Sequence, residues 1–207
     1  MDYVNTYQHA YIRYKASDMV LHIDSDAAYL VAPKARSRVA GYFHLSDHPS
    51  KKKNATLNGA IHVECKILRH VVSSAAEAEI GGVYHNAQTA IPIRTILQAL
   101  NHPQPPTPIK TDNSTANGFI HNNIHQQRSK SWDMRYYWLR DRQTQQQFLF
   151  FWDKGTNNDA DYFTKHHPTK YHRHKRNRYI QDKEPTFPEP SVLRGCVAPH
   201  HDVIMTS

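Results

Sequence analysis

The segment Met19-Val20-Leu21-His22-Ile23-Asp24-Ser25-Asp26-Ala27-Ala28-Tyr29-Leu30 constrains this chain more than any other. Met19, Leu21 and Ile23 alternate with Val20, His22 and Asp24, the period-2 signature of a strand with different neighbours on its two faces. The strand closes on two carboxylates, Asp24 and Asp26, which alternation puts on one face. Acidic side chains are poor strand formers, so a strand that finishes in them is more easily explained by a site than by packing. A strand running out into an acidic turn is the plain alternative, and alternation does not choose between Asp24 and Asp26.

The chain beyond it alternates between the two periodicities. Strands are expected at Arg38–Leu45 and Gly59–Leu68, the latter placing Ile61, Val63, Cys65 and Ile67 on one face. With the first strand they form an antiparallel meander. Ser73 or Ser74 then offers an N-cap, and Glu77 completes a capping box with Ser74. Ala76, Ile80, Val83, Ala87 and Ala90 make an apolar stripe of helical period, with Pro92 expected to kink the helix or start a second segment. A strand at Pro108–Asp112, a short helix in 113–123 and a longer one at Ser129–Arg142 follow. Phe148–Trp152 is a continuous apolar run, as in a strand buried on both faces, and Asn158 is placed to cap a last short helix to about Lys165. The order β-β-β-α-β-α-α-β-α is that of an α/β domain with a mixed five-stranded sheet and helices on its faces.

Residues 1–18 read as a lead-in, 19–166 as the domain, and 167–207 as a basic, mostly disordered tail. Lys and Arg number 26 against 18 Asp and Glu, a net charge of +8, which points to a polyanionic partner, nucleic acid ahead of an acidic membrane. Cys65 and Cys196 form no CxxC pair or disulfide framework, and no apolar run approaches the ~20 residues of a membrane helix. The expectation is a soluble intracellular chain, cytoplasmic or nuclear. The histidines of 166–174 lack the spacing of a closed zinc site.

Acidic residues recur where strands end and helices begin: Asp26, Glu79, Asp112 and Asp161, with Asp159 competing with Asp161 in the same first turn. Four carboxylates gathered in one place repel, and divalent cations neutralise them. All-oxygen ligands suit Mg²⁺, and two such ions about 4 Å apart serve phosphodiester hydrolysis. An acidic site on a basic protein is the combination a nuclease needs.

SDAA at 25–28, SSAAEAE at 73–79, TDNSTA at 111–116, SKSWDMRYYWLRD at 129–141 and ADYFTK at 160–165 together resemble the ribonuclease H domain of copia-type LTR retrotransposon polyproteins. The resemblance runs over roughly residues 19–166. It implies a ribonuclease H-like fold and a Mg²⁺-dependent endonuclease, Mn²⁺ being a substitute, that cuts the RNA strand of RNA–DNA hybrids. Its metal-binding and catalytic acids fall on Asp26, Glu79, Asp112 and Asp161, which favours Asp26 over Asp24 and Asp161 over Asp159. Ala28 and Ala76 depart from the commoner residues of that family, at positions outside the four acids. The lead-in is similar to the connector after a reverse transcriptase, so the chain is expected to be a fragment whose partners include that portion of its parent polyprotein.

Trp132, Tyr136, Tyr137 and Trp138 interleave with Arg128, Lys130, Arg135, Arg140 and Arg142. Met134, Tyr137 and Trp138 are expected mostly in the core, with the basic residues facing nucleic acid. The rival reading is a decayed or repurposed module that keeps the fold and binds nucleic acid without turnover.

Overall fold

The first carboxylate-bearing strand lies at the centre of the sheet. The computed structural model describes residues 5–49, 55–120 and 130–182, and residues 12–181 belong to one compact unit. In this unit, β1 (Val20–Ala32), β2 (Arg36–Ser46) and β3 (Ala60–Ile67) precede the long helix α1 (Ala75–Ala99). β4 (Thr107–Thr111), α2 (Ser114–Ile120), α3 (Lys130–Thr144) and β5 (Phe148–Trp152) follow. A 3₁₀ turn at Gly155–Asn157 leads to α4 (Asp161–Thr164) and α5 (Thr169–Tyr179). The sheet order is β3-β2-β1-β4-β5, with β1 antiparallel to β2 and parallel to β4. This is the mixed five-stranded sheet expected, its first three strands antiparallel.

α1 covers one face. Ile80, Val83, Ala87 and Ala90 pack on Leu21, Ile23, Phe43 and Ile109, all fully buried or nearly so. Each large apolar side chain removed from water there contributes roughly 1.5–3 kcal/mol. Asn86 brings helix and sheet close, its amide donating to Ser25 Oγ (2.9 Å) and to the Ala40 carbonyl (3.0 Å). A Cβ at Gly41 would come within 2.3 Å of Asn86 Oδ1, so the contact requires glycine. Ser74 caps α1 by accepting from the Glu77 amide at 3.1 Å, and Glu77 returns the contact to the Ser73 amide at 2.6 Å.

Several local expectations are corrected. α1 runs through Pro92 without a second segment. Pro92 leaves the Gln88 carbonyl without its helical donor, and both residues are exposed, so water can take that place. The edge strand β5 is not buried on both faces: Phe148 and Phe150 pack into the core, Leu149 on the opposite face stays 45% exposed, and Trp152 at the strand's end is 46% exposed. At the other edge the shared face of Ile61, Val63 and Ile67 is also exposed. In α3 the helical phase buries Leu139 and packs Tyr136 and Trp138 on the core, leaving Met134 and Tyr137 outside. Ala160, rather than Asn158, directly precedes α4, although Asn158 Oδ1 accepts from the Ala160 amide (3.1 Å) while its side-chain NH₂ donates to the Ser25 carbonyl (2.8 Å). Within the stretch expected to be disordered tail, residues 169–179 form α5, seated by Tyr179 against Tyr42, Tyr162 and Phe163. Of the lead-in, Lys15 is held by Asn58, whose side chain bonds both its amide and its carbonyl.

The second face of the sheet is polar. His22 and His44 stack with centroids 5.7 Å apart, and both nitrogens of buried His44 lack a partner among the described residues. Burial lowers the His44 pKa to about 3. A histidine held neutral in the fold stabilises it above pH 6.5, and that contribution is lost as pH falls from 6.5 toward 3, at about 1.4 kcal/mol per pH unit. Urea unfolding of His44→Phe between pH 6.5 and 4.5 is expected to show a correspondingly shallower loss of stability than the parent chain; parallel curves would contradict it.

Candidate metal centre

The parallel pairing of β1 with β4 sets Ile23 beside Ile109 and Asp24 beside Lys110. The same offset carried two residues on brings Asp26 level with Asp112, just past the end of β4; β1, expected to finish at the acids, instead runs on beside β2 to Ala32. α4 enters from the other side, and its first residue is Asp161. One carboxylate oxygen from each of Asp26, Asp112 and Asp161 lies within 4.8 Å of the other two. Theirs is the candidate metal cluster among the described residues. Glu79 approaches from α1 but is turned inward: Oε1 accepts from the Ala27 amide (3.0 Å) and Oε2 from Thr111 Oγ1 (3.3 Å). It is 4% exposed and adjoins Asp26 and Asp112 without joining the group of three.

The neighbouring acids have other duties. Asp24 pairs with Lys110 at 3.0 Å and accepts from the Asp159 amide at 2.9 Å. Asp159 pairs with Arg178, one contact of which is 2.9 Å. Asp112 is freed from capping α2, because Asn113 accepts from the Ala116 amide instead (2.9 Å). The two pairs that alternation and helix position left open are therefore separated by place: Asp24 and Asp159 are tied to Lys110 and Arg178 outside the group of three, while Asp26 and Asp161 face one another, with Lys165 beside Asp161.

Crowding and burial act together on the cluster. Burial first, then the charges of Asp112 and Asp161, push the Asp26 pKa up to about 6, against the hydrogen bond from Thr164 and the charge of Lys165. Burial and the charges of Asp26 and Asp112 raise Glu79 well above the usual carboxylate range, and burial raises Asp112. Lys165 is the cation of the site. It contacts Asp161 directly, and its pKa is raised, despite burial, by Asp161, Asp26 and Asp112.

The donor set fits a hard divalent cation: three carboxylates with free oxygens and no sulfur or imidazole in the group. Gly155 adds room beside it, since a Cβ there would lie 2.8 Å from Asp112 Oδ2. A cleft of about 540 Å³ lined by His22, Asp24, His44, Lys110 and Arg178 lies elsewhere and is lined by none of the three clustered acids.

Three of the five basic residues expected to face nucleic acid make contacts within the protein. Arg135 contacts His70 Nε2 at 2.7 Å and lies over Tyr84; Arg140 donates to Tyr136 Oη at 3.1 Å; Arg142 pairs with Asp141 and lies over Trp138. Lys130 begins α3, and Arg128 lies outside the described residues. Sequence reasoning missed Thr164 and Lys165 as parts of the site, although both stand in the ADYFTK segment that places Asp161.

No protein-family model and no curated protein sequence matches the chain. Solved structures do. LC11-RNase H1, isolated from compost by a metagenomic approach, superposes with a TM-score of 0.51 at 8% identity, covering 70% of this chain and 92% of that one. The fold is that of ribonuclease H. RNase H1 from Halobacterium salinarum NRC-1 (TM-score 0.47, 12% identity) covers 70% of this chain and 93% of its own. The prototype foamy virus protease-reverse transcriptase (0.43, 14%) is matched over 70% of this chain and 20% of its own.

Two substitutions probe the centre. Gly155→Ala pushes only the Asp112 carboxylate, so Mn²⁺ affinity by calorimetry is expected to fall roughly tenfold with thermal unfolding nearly unchanged; unaltered affinity would remove Gly155 from the site. Lys165→Met takes away the resident cation. The metal-free protein is expected to lose about 1 kcal/mol or less, while Mn²⁺ binds more tightly; weaker binding would show that Lys165 supports the ion rather than competing with it.

Proposed function

We propose that this chain is a Mg²⁺-dependent endonuclease that cuts the RNA strand of RNA–DNA hybrids, and that it derives from a copia-type retrotransposon polyprotein. The observation that carries the reading is the meeting of Asp26, Asp112 and Asp161, acids from three separated parts of the chain, at one end of a ribonuclease H fold. The motif series from SDAA to ADYFTK supports the copia-type origin and the reverse transcriptase as partner within the parent polyprotein.

Asp26, Asp112 and Asp161 would hold two Mg²⁺ ions, with Glu79 completing the acid set from the α1 side. Divalent cations held there supply water activation and charge stabilisation for phosphodiester hydrolysis. The chain's own residues prepare the place. Thr164 aims Asp26 through its hydroxyl. The Ala27 amide and Thr111 hold Glu79 in its buried position. Lys165, nearly half exposed, balances the acids and turns toward a phosphate when the cations take over that task. The surplus of basic side chains holds the nucleic-acid backbone, with Arg128, Lys130, Arg135, Arg140 and Arg142 among its contacts.

A labelled RNA–DNA hybrid incubated with the chain and Mg²⁺ is expected to yield RNA fragments with 3′-hydroxyl and 5′-phosphate ends. Asp26→Asn is expected to slow cleavage at least about a hundredfold, equivalent to roughly 3 kcal/mol of barrier, while still binding hybrid. Equal cleavage by this variant would overturn the site. Hybrid binding without cleavage in Mg²⁺ or Mn²⁺ would select the module without turnover.

A further inference from the structure

α5 has two unlike sides. Its inner side is fastened: Tyr179 Oη donates to the Asp159 carbonyl at 3.0 Å, Arg178 pairs with the Asp159 carboxylate, and Tyr171 stacks on Tyr162. Tyr162 follows Asp161 directly, and its hydroxyl lies 2.8 Å from His172 Nδ1. The helix is therefore fixed to the residue next to the acid cluster. Its outer side carries Lys170, Arg173, His174 and Asn177, all exposed, at the i, i+3, i+4, i+7 spacing of a single stripe. Among the described residues none pairs with Lys170, Arg173 or His174. The helix contains no acidic residue, so nothing on it offsets their charge.

We infer that the outer stripe of α5 is a phosphate-tracking surface that holds the backbone of a nucleic-acid substrate beside the acid cluster. The inference rests on the nuclease reading and adds to it the element that grips the substrate. The stripe from Lys170 to Asn177 spans about 10 Å of helix; Lys170 and Arg173, about 4.5 Å apart along it, can splay their long side chains to two neighbouring phosphates of one strand, with His174 and Asn177 as further hydrogen-bond donors. Phosphate contacts from Lys, Arg and Asn position a duplex without reading its sequence, which suits an enzyme acting along a hybrid. The outer stripe contains no apolar side chain, since Tyr171 and Tyr179 are turned inward. A helix that settles into a membrane surface buries an apolar face there, and α5 offers none.

The test is fluorescence anisotropy of a labelled RNA–DNA hybrid with the full chain in EDTA, from 50 to 200 mM salt. Lys170→Gln combined with Arg173→Gln is expected to bind about tenfold or more weakly at 0.1 M salt, and to make the slope of log affinity against log salt shallower by about 1.8, the release of two phosphate contacts. Thermal unfolding is expected to be unchanged, and Lys170→Arg with Arg173→Lys to keep the parent slope. Undiminished affinity and slope in the Gln variant, from a chain that binds and cleaves hybrid, would overturn the role of α5 and leave the nuclease reading intact. No hybrid binding by the parent chain would overturn both. A loss of binding to phosphatidylserine vesicles with hybrid binding unaffected would assign the stripe to a membrane surface instead.

Discussion

Electrostatic repulsion where the central strand passes the end of β4 is the constraint that the surrounding structure answers. Asp26, Asp112 and Asp161 come within 4.8 Å, with Glu79 buried behind them. Taking one carboxylate out of water is costly, and placing others beside it compounds the cost. The fold meets this in three local ways. Thr164 donates to Asp26, the Ala27 amide and Thr111 donate to Glu79, and Lys165 leans over Asp161. These contacts do not offset burial, which with the neighbouring carboxylates behind it keeps the Asp26 and Glu79 pKa values raised. A cluster left that poorly neutralised by its own protein is set up to receive a cation.

A second set of acids, each two residues earlier in the chain, is paired with cations, although burial raises the Asp24 pKa to about 6 as well. Asp24 has Lys110 and the Asp159 amide; Asp159 has Arg178 and, through its carbonyl, Tyr179. These pairs bolt β1 and β4 to the segment that carries Asp161. Removing one partner of such a buried pair leaves the other charge stranded. The clustered acids thus sit in a frame held by the pairs of Asp24 with Lys110 and Asp159 with Arg178.

Much of this was legible in the residues. Alternation found β1 and put Asp24 and Asp26 on one face, the 3.6-residue stripe found the buried side of α1, and the capping box at Ser73, Ser74 and Glu77 was visible as a pattern. Choosing between neighbouring acids was not possible from period alone, because the choice depends on Lys110 and Arg178, which lie far off in sequence and touch Asp24 and Asp159 only in the fold. Exposure misled where it depends on what packs over the sheet: FLFFW reads as buried on both sides, but Leu149, opposite Phe148 and Phe150, is left uncovered. α3 was misphased for a similar reason, since Leu139 rather than Tyr137 or Met134 meets the core. α5 was hidden by composition. A run as basic as TKYHRHKRNRY lacks the apolar content of an ordinary helix, and two tyrosines finding Tyr42, Tyr162 and Phe163 are enough to order it.

The late position of the tie between Asp159 and Arg178 bears on how the molecule is made. A ribosome delivers Asp26 and Asp112 long before Asp161, and the clamp that steadies this last acid arrives with residues 178 and 179. Throughout that interval the nascent sheet carries an incomplete acid set. Competence to take up metal would therefore arise only near the end of synthesis of this unit, when nearly all of its chain has emerged.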